Sequence, residues 1–289
     1  MSGYKDIRSD IYNLNDLPLL AESSGALLDS INDAEISLNK LCDILETEPS
    51  LTARLLKLAN SAYFGYRGTV DSIKQAVIQV LGLNLTKSLA IGILISDVLD
   101  TRGCPAFSGQ KYWFSALTTG ILAKQFCIAS PLLTEIDPSL GYTAGLLHNI
   151  GLLALVHRFP DLMAKVFQKS AKSGRGISEI LQEAYSLDQY QAGGWLAGRW
   201  QFPNAIRVAV KEHRNPHYTG PFQILATLIG TASHVASQSY REIEIGQEIM
   251  DRTATLKISA SDRKKIFVEL QSSLENFQSL AGILSGKQK

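Results

Sequence analysis

Cysteine is scarce. The chain has three, Cys42, Cys104 and Cys127, odd in number and without Cys-x-x-Cys spacing. That excludes a disulfide-stapled scaffold and a zinc ribbon, and it suits a reducing compartment. Charge of one sign is lacking too. Lys plus Arg number 28 and Asp plus Glu 27, so no overall field draws the chain to nucleic acid or to an anionic membrane. The basic residues Arg54, Lys57, Arg67, Lys74 and Lys87 are too scattered to claim a nucleic-acid-binding face. The first sixteen residues are charged and lack an apolar h-region, so no signal peptide is expected there. No strand-like alternation lasts, and neither a fixed-period repeat nor a low-complexity tract is present.

One long uncharged run remains. Residues 138–157 contain no Asp, Glu, Lys or Arg, and a membrane-spanning helix needs about 20 mostly apolar residues. His148 and Asn149 lie in mid-run, with Ser139, Tyr142 and Thr143 before them, and these are expensive in lipid. A buried core helix is the expectation, and with it a cytoplasmic protein that does not enter the membrane.

Helical periodicity fills the rest. Ser37 is placed to cap a helix with Leu38, Leu41, Cys42 and Leu45 on one face. Pro49 suits the first turn of the next, whose apolar face is Leu51, Leu55, Leu58 and Ala59. Arg54 and Lys57 are expected on its outer, solvated face. Ser72 caps a third helix that stops at Gly82, and Asn84 opens a fourth. Thr101-Arg-Gly-Cys-Pro105 reads as a break. Beyond it, helices are expected over about 111–128, 141–157, 160–173, 178–200, 203–211, 222–240 and 261–284, with a short hairpin or extended loop at 253–258. The fold class is therefore all-α, a two-lobed helical array. An N-terminal lobe is expected over 1–105, a second lobe over 106–245 and a helical extension over 246–289.

Several motifs occur in order. Thr47-Glu-Pro-Ser-Leu-Thr-Ala-Arg-Leu-Leu-Lys-Leu-Ala-Asn-Ser-Ala-Tyr-Phe-Gly65 is followed by Ile73-Lys-Gln-Ala-Val-Ile-Gln-Val-Leu-Gly82 and preceded by Leu14-Asn-Asp-Leu-Pro18. Then come Ala144-Gly-Leu-Leu-His-Asn-Ile-Gly151, Gly193, Trp200-Gln-Phe-Pro203 and Glu212-His-Arg-Asn-Pro216. Together, over roughly 14–240, they resemble the HDOD family of bacterial signal transduction, a degenerate relative of the HD metal-dependent phosphohydrolases. The resemblance implies an HD-like helical core in the second lobe.

An active HD enzyme gathers several His and Asp side chains on one or two divalent metals, which supply a hydroxide and neutralise phosphate charge. Carried over one position at a time, the resemblance places those ligands at Ser115, His148, Asn149, Gln189, His213, Arg214 and Ser233. Only His148 and His213 keep a ligand side chain, and Arg214 brings a fixed positive charge. No metal and no cofactor are expected. His148 and His213 are the weak candidates, with His217 or His234 as a third donor.

The expected function is thus a non-catalytic signalling module acting through a protein partner, a nucleotide second messenger being the alternative ligand. A divergent phosphohydrolase or phosphodiesterase is the second reading. Partner contact is considered for Asn60, Ser61, Tyr63 and Phe64. Against it stands plain packing: Asn60 and Ser61 tying a loop to backbone groups, and the rings filling the seam between lobes. His148 and Asn149 are expected to stabilise the fold, with His213 or Arg214 as hydrogen-bond partner.

Overall fold

The computed structural model describes residues 22–33, 36–239, 251 and 253–286; the Leu14-to-Pro18 motif lies outside them. Among the described residues the architecture is all-α, with no strand. The first lobe comprises α1 (Glu22–Asn32), α2 (Leu38–Glu46), α3 (Pro49–Ala59), α4 and α5 (Leu83–Val98). α4 begins as one α turn, Ile73–Gln75, and continues as a π-helix, Ala76–Leu81. The caps follow the sequence: Ser37 accepts from Lys40 N, Ser72 accepts from Gln75 N, and Pro49 opens α3. Gly82 has φ 73° and ends α4. It also caps α5, which therefore starts one residue before Asn84.

The break at 101–105 is a series of turns leading to α6 (Gly109–Ala129). α6 is the axis of the second half. It packs on α7 (Pro138–Leu147), on α13 (Gln223–Ser239) and on the terminal helix α14 (Ala260–Leu284). Between these lie α8 (Ile150–Arg158), α9 (Pro160–Ser173), α10 (Ile177–Tyr185), α11 (Gln189–Arg199) and α12 (Asn204–Glu212). One continuous core of buried side chains runs from Leu27 in α1 to Leu284 in α14. Helix α5 meets α7, and α14 packs on both α6 and α3, so the two halves are joined by these helices.

Four expectations are corrected. The helix expected over 141–157 is two helices, broken at His148 and Asn149. The one expected over 178–200 is also two. Ser186 stops α10 in the left-handed region (φ 53°), and the Asp188 carboxylate accepts from Tyr190 N and Gln191 N to start α11. The hairpin or loop expected at 253–258 is a helical turn at 253–255, closed by Lys257 N donating to Ala254 O (2.9 Å). Burial of Leu256 and Ile258 decides that outcome. Finally, Arg54 is not solvated. Its side chain is 14% exposed; it donates to Ile283 O (3.3 Å), to Leu284 O and to the Asp97 carboxylate. The carbonyls at the end of α14 have no intrahelical donors, and a guanidinium satisfies them well. Lys57 is exposed as expected.

The run Pro138–Arg158 is apolar and long enough to cross a membrane by length and composition, but 78% of its most apolar stretch is buried inside the protein. Core packing accounts for its lack of charge.

Arg54→Ala removes charge-assisted bonds to Asp97 and to the Ile283 and Leu284 carbonyls, of which Ile283 O keeps the bond from Gly286 N (3.2 Å). A loss of about 2–3 kcal/mol is expected, read as a lower midpoint in urea. Faster amide hydrogen exchange confined at first to the end of α14 is the accompanying signature.

Candidate functional site

The site is built where α7 gives way to α8. His148 follows α7, and its ring Nδ1 lies 2.7 Å from the carbonyl of Gly145, three residues back. A carbonyl only accepts, so Nδ1 carries the proton and Nε2 keeps its lone pair. His213 ends α12 in the same manner, Nδ1 donating to Ala209 O and Val210 O, both at 3.0 Å. The two rings meet edge to face at 5.3 Å, and Tyr190 packs on the His213 ring at 4.8 Å.

Glycines allow this convergence. A Cβ on Gly145 would lie 2.7 Å from Gly120 Cα in α6, and one on Gly151 would lie 1.9 Å from the Gln189 carbonyl. Gly230 of α13 sits against the His213 carbonyl, 2.1 Å from its own Cβ position. Thus Gln189 and Tyr190, at the start of α11, are brought beside the break after His148. Asn149 occupies the break itself, half-buried, with φ −121° and ψ 26°. Ser115 is half-buried on α6 and Ser233 buried on α13, the two helices that flank α7. Arg214 is exposed beside His213. The expectation that His148 and Asn149 bond to His213 or Arg214 is corrected: His148 bonds to a backbone carbonyl and meets His213 through ring packing. The Asn149 Oδ1, Gln189 Oε1 and His213 Nε2 atoms are buried without a hydrogen-bond partner.

Burial pushes the His148 pKa down to about 4; the bond to Gly145 opposes this, and the Arg214 charge adds to it. Burial also holds His213 well below its ordinary value, with His148 and Arg214 reinforcing it. Both rings are therefore neutral at pH 7. Burial pushes the Cys127 thiol up to about 12, the Asp137 charge adding to it, so it stays protonated. Its sulfur packs near Gly141, where a Cβ would come within 2.9 Å. His217 is exposed, while His234 shares with His213 and Arg214 the lining of a cavity of about 560 Å³.

A hydrolytic metal centre needs anionic donors. The two imidazoles are in the tautomer a metal ligand requires, but their companions are Asn149, Gln189 and a guanidinium. Among the described residues no group of three or more His, Cys, Asp and Glu side chains is gathered. The residues present do not fit a one- or two-metal site.

The HDOD domain family's sequence profile matches residues 17–216. The chain belongs to the HDOD family. Among individual relatives, an uncharacterised protein of Treponema pallidum is 27% identical over 226 residues, 76% of this chain and 42% of that one. A Marinobacter aquaeolei structure named for signal transduction has a TM-score of 0.80 and 24% identity, covering 99% of this chain and 62% of that one. A Shewanella amazonensis structure named a phosphohydrolase has a TM-score of 0.77 and 22% identity, covering 95% and 97%. The HDOD chain described here therefore spans less than two thirds of the Treponema and Marinobacter proteins. At these identities the two structures establish the shared fold.

Away from the cleft, Asn60 is engaged in a structural tie. It donates to Leu56 O (2.9 Å) and Val70 O (2.8 Å) and accepts from Val70 N (2.8 Å), closing the loop after α3. Ser61 Oγ is buried without a partner. Tyr63 stacks edge-on with Phe64 (5.0 Å) and Phe277 of α14 (5.2 Å). Sequence reasoning missed Tyr190 and the Asp188 cap. The capping pattern Ser186-Leu-Asp188 was the signal that would have found both.

Two measurements follow. Gly151→Ala places a methyl group inside the Gln189 carbonyl, so α8 and α11 must separate; a loss of about 3 kcal/mol or more is expected by denaturant unfolding. The histidines also make stability depend on pH. Their folded pKa lies below the ordinary 6.5, so the unfolded chain binds more protons as pH falls through that window. The contribution is complete above about 6.5 and is lost as pH falls toward 4, by about 2 kcal/mol for His148 between pH 7 and 5, with His213 acting in the same direction. Unfolding curves at the two pH values should show His148→Gln losing less than the parent protein.

Proposed function

We propose that this HDOD chain is a cytoplasmic regulatory module that binds another signalling protein and does not hydrolyse phosphate esters. The observation that carries the reading is the donor set around His148 and His213, in which neutral amides and Arg214 stand where a hydrolase needs carboxylates. Arg214 raises the cost of any divalent cation there, and without the cation no hydroxide forms at neutral pH. Family membership and the signal-transduction name of the Marinobacter protein support a signalling role. The phosphohydrolase name of the Shewanella protein favours the second reading, but function belongs to sites rather than folds.

For the partner contact we propose Tyr63 and Phe64. They line a cavity of about 430 Å³ together with Ile121 and Ile128, and the Ile128 side chain is 68% exposed. Asn60 has its hydrogen-bonding groups committed to the loop and is left out of the contact. No cofactor is required for such a role. A nucleotide second messenger remains the alternative ligand class.

The test is turnover of bis-p-nitrophenyl phosphate and p-nitrophenyl phosphate with Mn²⁺, Fe²⁺ or Mg²⁺ added. The expected rate equals that of His148→Ala. Metal-dependent hydrolysis that disappears in His148→Ala would overturn the reading.

A further inference from the structure

The cleft beside His213 has a divided chemistry. Inside, His213 lines the cavity and its ring offers an acceptor. The His213 Nδ1–H is committed to two carbonyls, so the buried, partnerless Nε2 presents a lone pair. His213 is 6% exposed and Gln189, whose Oε1 is likewise partnerless, 5%. Behind His213 lies the His148 ring, 5.3 Å away with its Nδ1–H held by Gly145; neither His148 nor Gln189 lines the cavities themselves. At the mouth stands the opposite chemistry. The Arg214 guanidinium has no ion-pair partner among the described residues, and it borders both the cavity of about 560 Å³ and a neighbouring one of about 520 Å³. Two acids line these cavities: Glu212, on both, is engaged by Lys211 (3.0 Å) and Asn215 (2.9 Å), and Asp188, on the smaller one, accepts from Tyr190 N and Gln191 N. Arg214 is therefore the cation of the rim that no carboxylate pairs among the described residues.

Each simple ligand fails one half of this arrangement. A divalent cation, or an ammonium group, meets the lone pairs but shares the sign of Arg214. A bare anion suits Arg214 but faces lone pairs inside, and an unmade buried bond costs on the order of 1–3 kcal/mol. A molecule with neutral donors at one end and negative charge at the other satisfies both. We infer that this cleft binds a small organic anion carrying hydroxyl or N–H donors, its anionic head on Arg214 and its donors on His213 and the groups around it. The larger cavity is within the range of about 300–1,000 Å³ used for small-molecule sites. Thr227, Thr231 and Tyr218 also line it; the Thr231 and Tyr218 hydroxyls donate to Thr227 O and Pro221 O and keep lone pairs for such a ligand's donors. This reading goes beyond partner binding and is independent of it; either can fail alone.

The test is a ladder of four probes measured by titration calorimetry: inorganic phosphate (anion alone), ribose (donors alone), ribose 5-phosphate (both, through hydroxyls) and AMP (both, with a base amino group added). In parallel, the ¹⁵N resonances of the histidine rings are followed by NMR. At least one of ribose 5-phosphate and AMP should bind about tenfold or more tightly than phosphate and ribose, and it should move the Nε2 resonance of His213. Whichever of the two binds more tightly identifies the donor source as sugar or base. Arg214→Gln, at an exposed position, should keep the parent melting temperature and weaken the bound probe about tenfold or more. The inference is overturned if neither two-ended probe exceeds the one-ended ones, which is the result expected if ordered water alone fills the cleft. It is equally overturned if binding leaves His213 Nε2 unmoved or survives Arg214→Gln.

Discussion

Helix backbones touch at two points either side of His148, and the second lobe depends on both. Gly145 packs on Gly120 of α6, and Gly151 packs on the Gln189 carbonyl of α11. Six residues of α-helix turn through about 600° at 3.6 residues per turn. A straight helix would thus point these two glycines to different sides, with no freedom to seat both contacts. The break at His148 and Asn149 supplies that freedom. It is stabilised locally, because the His148 ring takes up the Gly145 carbonyl that an uninterrupted helix would use further along. A side chain competing with the backbone for a carbonyl usually weakens a helix; here it ends one helix and lets the next leave at its own angle.

The polar character of the cleft follows from that geometry. Once Gly151 seats on α11, the start of that helix brings Gln189 and Tyr190 to the His213 ring, and His213 to His148. The backbone carbonyls then fix both imidazoles in one tautomer, with burial keeping them neutral. This half of the arrangement is what a metal site would need. Arg214 works against the other half, since its charge cannot be removed at any accessible pH. The cleft thus joins oriented, neutral acceptors to a cationic rim, a combination that disfavours a bare divalent cation.

Much of this was legible in the sequence, and what was not has identifiable causes. Caps are local, so Ser37, Pro49, Ser72 and Gly82 marked the helix ends they cap to within a residue, while the helix at Glu22–Asn32 carried no such mark. The motifs around His148 and His213, far apart in sequence, meet in the fold at the two rings. The break at His148 was hidden because apolar periodicity continues through it; nothing in the pattern records which helix each glycine will meet. The break at Ser186 was signalled by Asp188 but masked by the apolar residues on both sides. At 253–258 the segment is helical turn where a hairpin or extended loop was expected; Thr253, Thr255 and Ile258 are β-branched and favour extension, and tertiary burial of Leu256 and Ile258 overrides the preference. Partners distant in sequence were the least accessible. The exposed-looking Arg54 is paired with carbonyls 229 and 230 residues away.

That last contact bears on where the functional unit ends. The family match stops at residue 216, yet α13 and α14 are not appendages. Helix α13 seats Gly230 on the His213 carbonyl and places Thr227, Thr231 and His234 around the cleft. Helix α14 buries Ile266, Phe267, Leu270, Phe277, Leu280, Ala281 and Leu284, and each large apolar side chain so buried contributes about 1.5–3 kcal/mol in transfer from water. Phe277 closes on Tyr63 from the first lobe, and Arg54 holds the helix's last carbonyls. Part of the cleft's wall and the clasp between the lobes therefore come from chain beyond the matched segment, so the unit that folds extends at least to Leu284.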